Sequence, residues 1–111
     1  MIRQAKPYLR HERLGDNLLE ILKKEVWARH GYHYDLTRIR LSKDFKYADV
    51  YVRGDKAKLE ILQTEGKDII QAIKHSWNAK YLPTLRFHED IDANRLDYVN
   101  AILDKLSNEH L

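Results

Sequence analysis

Between Thr37 and Arg53 the hydrophobic period of this chain drops from helical to two, and that change limits the folds open to it. In Thr37-Arg38-Ile39-Arg40-Leu41, apolar and basic residues alternate as in a strand with one buried face. In the next run, Ala48, Val50 and Val52 share one face, and Tyr47, Asp49, Tyr51 and Arg53 share the other. Ser42-Lys43-Asp44-Phe45-Lys46 joins the two strands as a longer hairpin loop. A hairpin with a single apolar face needs another layer to cover it, and the flanking segments have the spacing of helices.

From about Tyr8 to Arg29, Leu14, Leu18, Ile21, Leu22 and Val26 make one stripe, and Gly31 is suited to stop that helix. Residues 55–78 carry a second stripe, Leu59, Leu62, Ile69, Ile70, Ile73 and Trp77, with Asp55 as its N-cap. Gly66 falls on this stripe, where a glycine costs about 1 kcal/mol against alanine. Either two short helices meet at Gly66, or something approaches its backbone closely. Pro83 then leads into a short third strand, Thr84 to His88, with Leu85 and Phe87 facing inward. Asp92 is placed to cap a last helix, about 93–108, with the stripe Leu96, Val99, Ile102, Leu103 and Leu106. That helix either packs on the domain or extends from it, and covering the domain's own core is the simpler expectation. The order is helix, strand, strand, interrupted helix, strand, helix: an α+β chain whose residues 1–111 form a single domain.

The totals agree with one domain able to bury a core: 111 residues, 43 % hydrophobic and 33 % charged. There is no cysteine, so neither a disulfide framework nor a thiolate metal site is available. The apolar runs are far too short for a membrane span and the first residues lack the apolar core of a signal peptide, so a soluble cytoplasmic protein is expected. Charge is uneven along the chain. Residues 1–88 hold 18 Lys and Arg against 11 Asp and Glu, whereas residues 89–111 hold 2 against 6. A basic body that can dock on a polyanion, followed by an acidic segment that cannot, fits this distribution.

Motifs for catalysis are missing. The four glycines are never grouped into a phosphate loop, and no serine sits in a nucleophile elbow. His30 and His33 have no evident third ligand nearby, and Glu89, Asp90 and Asp92 lack the spacing of a calcium loop. Turn and capping roles suit those acids better, and neither a metal nor a cofactor nor enzyme activity is expected. Trp77 continues a buried stripe, while Trp27 stands beside Val26 and can be half-buried. The outward face of the strands would show Arg38, Arg40, Tyr47, Tyr51 and Arg53. Interleaved basic and aromatic residues suit RNA, because rings stack on bases while guanidinium groups meet phosphates.

The run from Ile39 to Val52, with its Leu-Ser-Lys-Asp turn and its Tyr-Ala-Asp-Val-Tyr-Val strand, resembles the most recognisable segment of the ribosome-binding factor A family. The first helix, with His11, Arg13, Leu14, Leu18 and Leu22, is similar to that family's opening helix. Leu82 to Phe87 resembles its last strand, and Arg95-Leu96-Asp97 is similar to a short motif near its C-terminus. The resemblance implies a KH-like fold of the second type, α-β-β-α-kink-α-β, followed here by the C-terminal helix. In it a kink marked Ala-x-Gly replaces the usual Gly-x-x-Gly loop. The matching place is Thr64-Glu65-Gly66, with the glycine kept and threonine standing for alanine.

The resemblance further implies a non-catalytic protein that binds small-subunit ribosomal RNA during late maturation, acts with assembly GTPases and is linked to growth in the cold. On that reading Gly66 lets RNA backbone come close. Lys43, Lys46, Lys67 and Lys74 are the first candidates to neutralise phosphates, and Arg10, Arg13, Arg38 and Arg40 the second. The free protein is expected to be a monomer. The alternative is a protein-interaction module of the same shape that uses the C-terminal amphipathic helix.

Overall fold

The computed structural model describes residues 7–77 and 82–109, with side chains described from Glu12 to Trp77 and from Leu82 to Ser107. Its elements are α1 (Pro7–His30), β1 (Asp35–Leu41), β2 (Tyr47–Arg53), α2 (Lys56–Ala72), β3 (Thr84–Glu89) and α3 (Ile91–Glu109). This is the α+β architecture expected from the pattern of periods, and it agrees with the KH-like fold that the resemblance implies, with three strands and three helices.

The sheet has the order β1-β2-β3. β1 and β2 pair antiparallel, with Leu41 opposite Ala48 beside the hairpin and Asp35 opposite Arg53 at the far end. β2 and β3 pair parallel, from Tyr47 opposite Thr84 to Val52 opposite Glu89. A parallel neighbour needs a crossover, and α2 supplies it across one face of the sheet. α1 covers the same face. Leu18, Leu22 and Val26 of α1 and Leu62, Ile69 and Ile70 of α2 are buried against Leu36, Leu41, Ala48, Val50, Val52, Leu85 and Phe87. The opposite face of the sheet carries the polar and aromatic half of each strand.

α1 ends as its sequence suggests. Gly31 takes φ +97°, and its N–H donates to the Trp27 carbonyl at 2.8 Å. Trp27 is partly buried, and its indole N–H donates to the Tyr34 carbonyl at 2.9 Å. Trp77 is buried in the core.

The expected interruption at Gly66 is corrected. α2 is one helix from Lys56 to Ala72, and Thr64-Glu65-Gly66 lies inside it rather than at a junction between two helices. The physical reason is packing: Gly66 is buried, and the atoms nearest to where its Cβ would stand belong to Phe87 and Leu85 of β3. Thr64 bonds back to the Glu60 carbonyl at 2.8 Å, as a threonine within a helix does. The helix ends later, where turn hydrogen bonds from Lys74 to Gln71 and from Ser76 to Ile73 carry the chain to Trp77.

Two further expectations are corrected at α3. The N-cap is Asp90, not Asp92: its carboxylate accepts from the Ala93 N–H at 3.0 Å, and its carbonyl from the Asn94 N–H at 3.0 Å. The α3 stripe does not cover the core. Leu96, Val99, Ile102, Leu103 and Leu106 are between 42 and 55 % exposed. A net of polar contacts at its first turns fixes where the helix leaves the body. The Asn94 amide exchanges bonds with Gly54 N–H and C=O at 2.8 and 2.9 Å, and Asp97 lies 3.4 Å from Arg53.

Candidate nucleic-acid interface

Strand register sorts the basic residues into groups that cannot share one contact surface. Arg38 and Arg40 stand on the open face of the sheet, because Ile39 and Leu41 point to the core, and an irregularity in the pairing between Leu36 and Arg38 lets Leu36 point there too. Lys67 and Lys74 are exposed on the helical layer, on the other side of the sheet. A shallow groove lined by Ile21, Lys24, Glu25, Ala72, Ile73 and Ser76 lies beside Lys74, between α1 and the end of α2. Arg10 lies outside the residues whose side chains are described.

The hairpin end is the strongest concentration. The start of α1 reaches it, since Gly15 packs against Ile39 and Leu41, and Arg13 is exposed just before it. Arg40 is next to last in β1, and Lys43 and Lys46 belong to the loop itself. That loop is held by its own side chains. Ser42 Oγ donates to Asp44 at 2.7 Å and accepts from the Tyr47 N–H at 3.0 Å, and Asp44 accepts from the Lys46 N–H at 3.0 Å. Phe45 adopts φ 60° to close the turn and packs against the core. The Ser42 hydroxyl and the Lys46 N–H together hold the Asp44 carboxyl below its ordinary pKa.

Some cations meet carboxylates: Lys23 with Glu20, Arg29 with Glu25, Arg53 with Asp35 and Asp97, Arg86 with Asp49. Among the described residues, Arg13, Arg40, Lys43, Lys46, Lys67 and Lys74 have no carboxylate within 4.0 Å. Arg38 is less free, since Asp90 lies 3.9 Å away. The far end of the sheet carries Asp35, Asp55, Glu89, Asp90 and Asp97 together with Arg53, Lys56 and Lys58, and Arg53 pairs with both Asp35 and Asp97.

One site expectation is corrected. Gly66 is buried between α2 and β3, so its backbone offers no face for a polyanion. Beside it, His30 Nε2 lies 2.8 Å from the Glu65 carboxylate and Arg29 lies 3.8 Å away, which ties the end of α1 to α2. The His30 ring also stacks on Tyr34 with centroids 4.5 Å apart. Among the described residues no group of His, Asp and Glu is arranged to hold a metal ion. No helix among them is long and apolar enough to cross a membrane.

The open face of the sheet holds residues that sequence reasoning only half identified. Arg86 and His88 of β3 complete it, because Arg86 stands opposite Asp49 and His88 opposite Tyr51 in the parallel register. The alternation in Thr84-Leu85-Arg86-Phe87-His88 already places both outside, but only the pairing shows that they meet Tyr47 and Tyr51.

With hairpin, crossover helix and third strand in place, comparison with known proteins decides the family. The family model described as ribosome-binding factor A matches residues 3–103. The chain belongs to the ribosome-binding factor A family. It is 24 % identical to the ribosome-binding factor A of Hahella chejuensis (strain KCTC 2396) over 106 residues, covering 85 % of this chain and 78 % of that protein. The fold is similar to the crystal structure of ribosome-binding factor A from Thermus thermophilus, with TM-score 0.66 and 24 % identity, over 71 % of this chain and 94 % of that one. It is likewise similar to the solution NMR structure of a ribosome-binding factor A candidate from Thermotoga maritima, with TM-score 0.64 and 26 % identity, over 78 and 92 % of the two chains. The ribosome-binding factor A family is thus shared by sequence and by fold.

Proposed function

We propose that this protein is a monomeric, non-catalytic factor of the cytoplasm that binds small-subunit ribosomal RNA during late maturation of the subunit. The observation that carries the reading is the concentration of cations at the hairpin end, Arg13, Arg40, Lys43 and Lys46, none with a carboxylate within 4.0 Å among the described residues, on a loop stiffened by Ser42 and Asp44. Such groups displace condensed counterions from a polyanion, so they set affinity and make it sensitive to salt. The family's name supports a ribosomal partner, and the basic composition supports its RNA over its proteins. Lys67 and Lys74 form a second patch on the helical layer, able to meet another RNA segment but not the same one.

The test is co-sedimentation of the purified protein with immature and mature small subunits. Lys43→Glu with Lys46→Glu lowers association and leaves the circular dichroism spectrum unchanged; association that survives both changes places the contact elsewhere.

The exposed α3 stripe favours a second, compatible role in contact with a protein, for which an assembly GTPase is the class of partner the family suggests. A binding assay with the purified GTPase, comparing the native chain with Leu103→Glu, reads that role directly.

A further inference from the structure

The open face of the sheet carries an ordered row of planar groups. Arg38 Cζ lies 4.2 Å from the centroid of the Tyr51 ring, and the Tyr51 and His88 rings are 5.3 Å apart and tilted by 33°. His88 Nε2 lies 2.8 Å from Asp49. Arg86 donates to both Asp49 oxygens, at 2.8 and 3.1 Å, and its Cζ lies 4.2 Å from the centroid of the Tyr47 ring. The row therefore reads Arg38, Tyr51, His88, Asp49, Arg86, Tyr47, running from the end of the sheet beside α3 to the hairpin.

Three features separate this row from an ordinary solvated sheet face. First, α1 and α2 both cover the other face and leave this one uncovered, with Tyr47 41 % exposed at the hairpin end and Tyr51 half-buried. Second, Asp49 sits among the planes and fixes the orientation of two of them, which lowers the entropy lost when a ligand stacks on them. Third, cations outnumber carboxylates at the hairpin end: Arg40, Lys43, Lys46 and Arg86 stand there with Asp44 and Asp49, and Asp49 pairs with Arg86.

We propose that this face is a stacking platform for unpaired bases of single-stranded RNA. It rests on the ribosomal RNA reading above and names the part of the RNA that the protein takes. Phosphates meet Arg40, Lys43 and Lys46 at the hairpin end, and the strand then crosses the sheet with bases on the Tyr47–Arg86 and Tyr51–Arg38 pairs. Tyr47 and Tyr51 are four residues apart on β2, or about 13 Å at the usual rise, so each ring serves a different base. Rings and guanidinium planes stack on any base, so the platform selects for strandedness rather than sequence. A duplex keeps its bases stacked on one another and has no free base face to offer.

The test uses the full chain with a short oligoadenylate and with an RNA duplex of the same length, each over a salt series. The native protein binds the single strand more tightly than the duplex. Tyr47→Leu and Tyr51→Leu each weaken single-strand binding about tenfold, leave the salt slope as it was and leave duplex binding unchanged. Arg86→Lys keeps the charge and loses the plane, and it too weakens the single strand without altering the slope. Tyr47 is exposed and Tyr51 half-buried on the open face, outside the core, and circular dichroism checks the fold of both variants. If the native protein binds neither RNA, the ribosomal RNA reading fails and the platform falls with it. If it binds RNA and both tyrosine variants bind the single strand as the native chain does, the platform is overturned and the reading stands. Tyrosine variants that lose only small-subunit association, with single-strand binding intact, assign the face to a protein and overturn the platform as well.

Discussion

A methyl group on Gly66 would stand 3.9 Å from Phe87 Cε2, ordinary van der Waals contact across the packed face between α2 and β3. The glycine therefore lets helix and strand approach, yet leaves room for one carbon. Gly66→Ala is expected to stabilise the protein by up to about 1 kcal/mol, through helix propensity and the smaller freedom of the unfolded chain. Gly66→Leu drives a branched side chain into Leu85 and Phe87 and is expected to cost about 1–3 kcal/mol. Urea unfolding of the three chains measures both effects. A clear loss of stability in the alanine variant would show that this position needs a bare backbone for a reason other than packing.

The α3 stripe makes an opposite pair of expectations. Leu62 is fully buried, and Leu62→Ala should cost about 2–5 kcal/mol. Leu103→Ser and Leu106→Ser lie where the stripe faces solvent and should change stability by no more than about 0.5 kcal/mol. Thermal unfolding compares them. A cost for the α3 variants near that of Leu62→Ala would mean that the helix folds back on the body.

Acid stability reports the junction between β1 and α3. Asp90 accepts from Thr37 Oγ1 and from the Ala93 N–H, with Arg38 nearby, and these hold its carboxyl below the ordinary aspartate value despite burial. At Asp49 burial pushes upward, but the bonds from Arg86 and His88 outweigh it and the pKa again falls below the ordinary value. A carboxyl with a depressed folded pKa contributes its stability above its unfolded value, near 3.9, and loses it as pH falls through the folded value. Stability should be flat from neutral pH down to about 5 and fall below about 4. Asp90→Asn keeps acceptor and shape but not the titration, so its acid loss should be shallower. An unchanged acid profile in Asp90→Asn would remove Asp90 from the explanation.

Most of the fold is legible in the sequence because it depends on period. Ile39, Val50 and Leu85 alternate with polar neighbours, and Leu18, Leu22 and Val26 recur at helical spacing, so strands, helices and their buried faces follow directly. What does not follow depends on pairing between distant segments. Gly66 reads as an interruption until Phe87 and Leu85 are seen against it. Asp92 reads as a cap as well as Asp90 does, and only the folded chain, in which Asp90 accepts from the Ala93 N–H and is held by Thr37 of β1, decides between them. The α3 stripe has the periodicity of a core helix, and periodicity does not say what a stripe faces. For the candidate interface, Lys43 and Lys46 are visible as basic loop residues, but their freedom from carboxylates is a property of the folded chain. The Arg86–Tyr47 stack requires the parallel register of β2 and β3, which no local pattern contains.

If unpaired cations at the hairpin end hold ribosomal RNA by its phosphates, the most direct test is the salt dependence of binding to a single-stranded small-subunit RNA fragment. It is measured for the native chain and for Lys43→Gln with Lys46→Gln. Each single-stranded phosphate contact contributes about 0.7 to the slope of log affinity against log salt, so losing two should flatten it by about 1.4. Weaker binding with that flatter slope is the expected result. Native affinity and an unchanged slope in the double variant would contradict the assignment of phosphate contacts to this end of the fold.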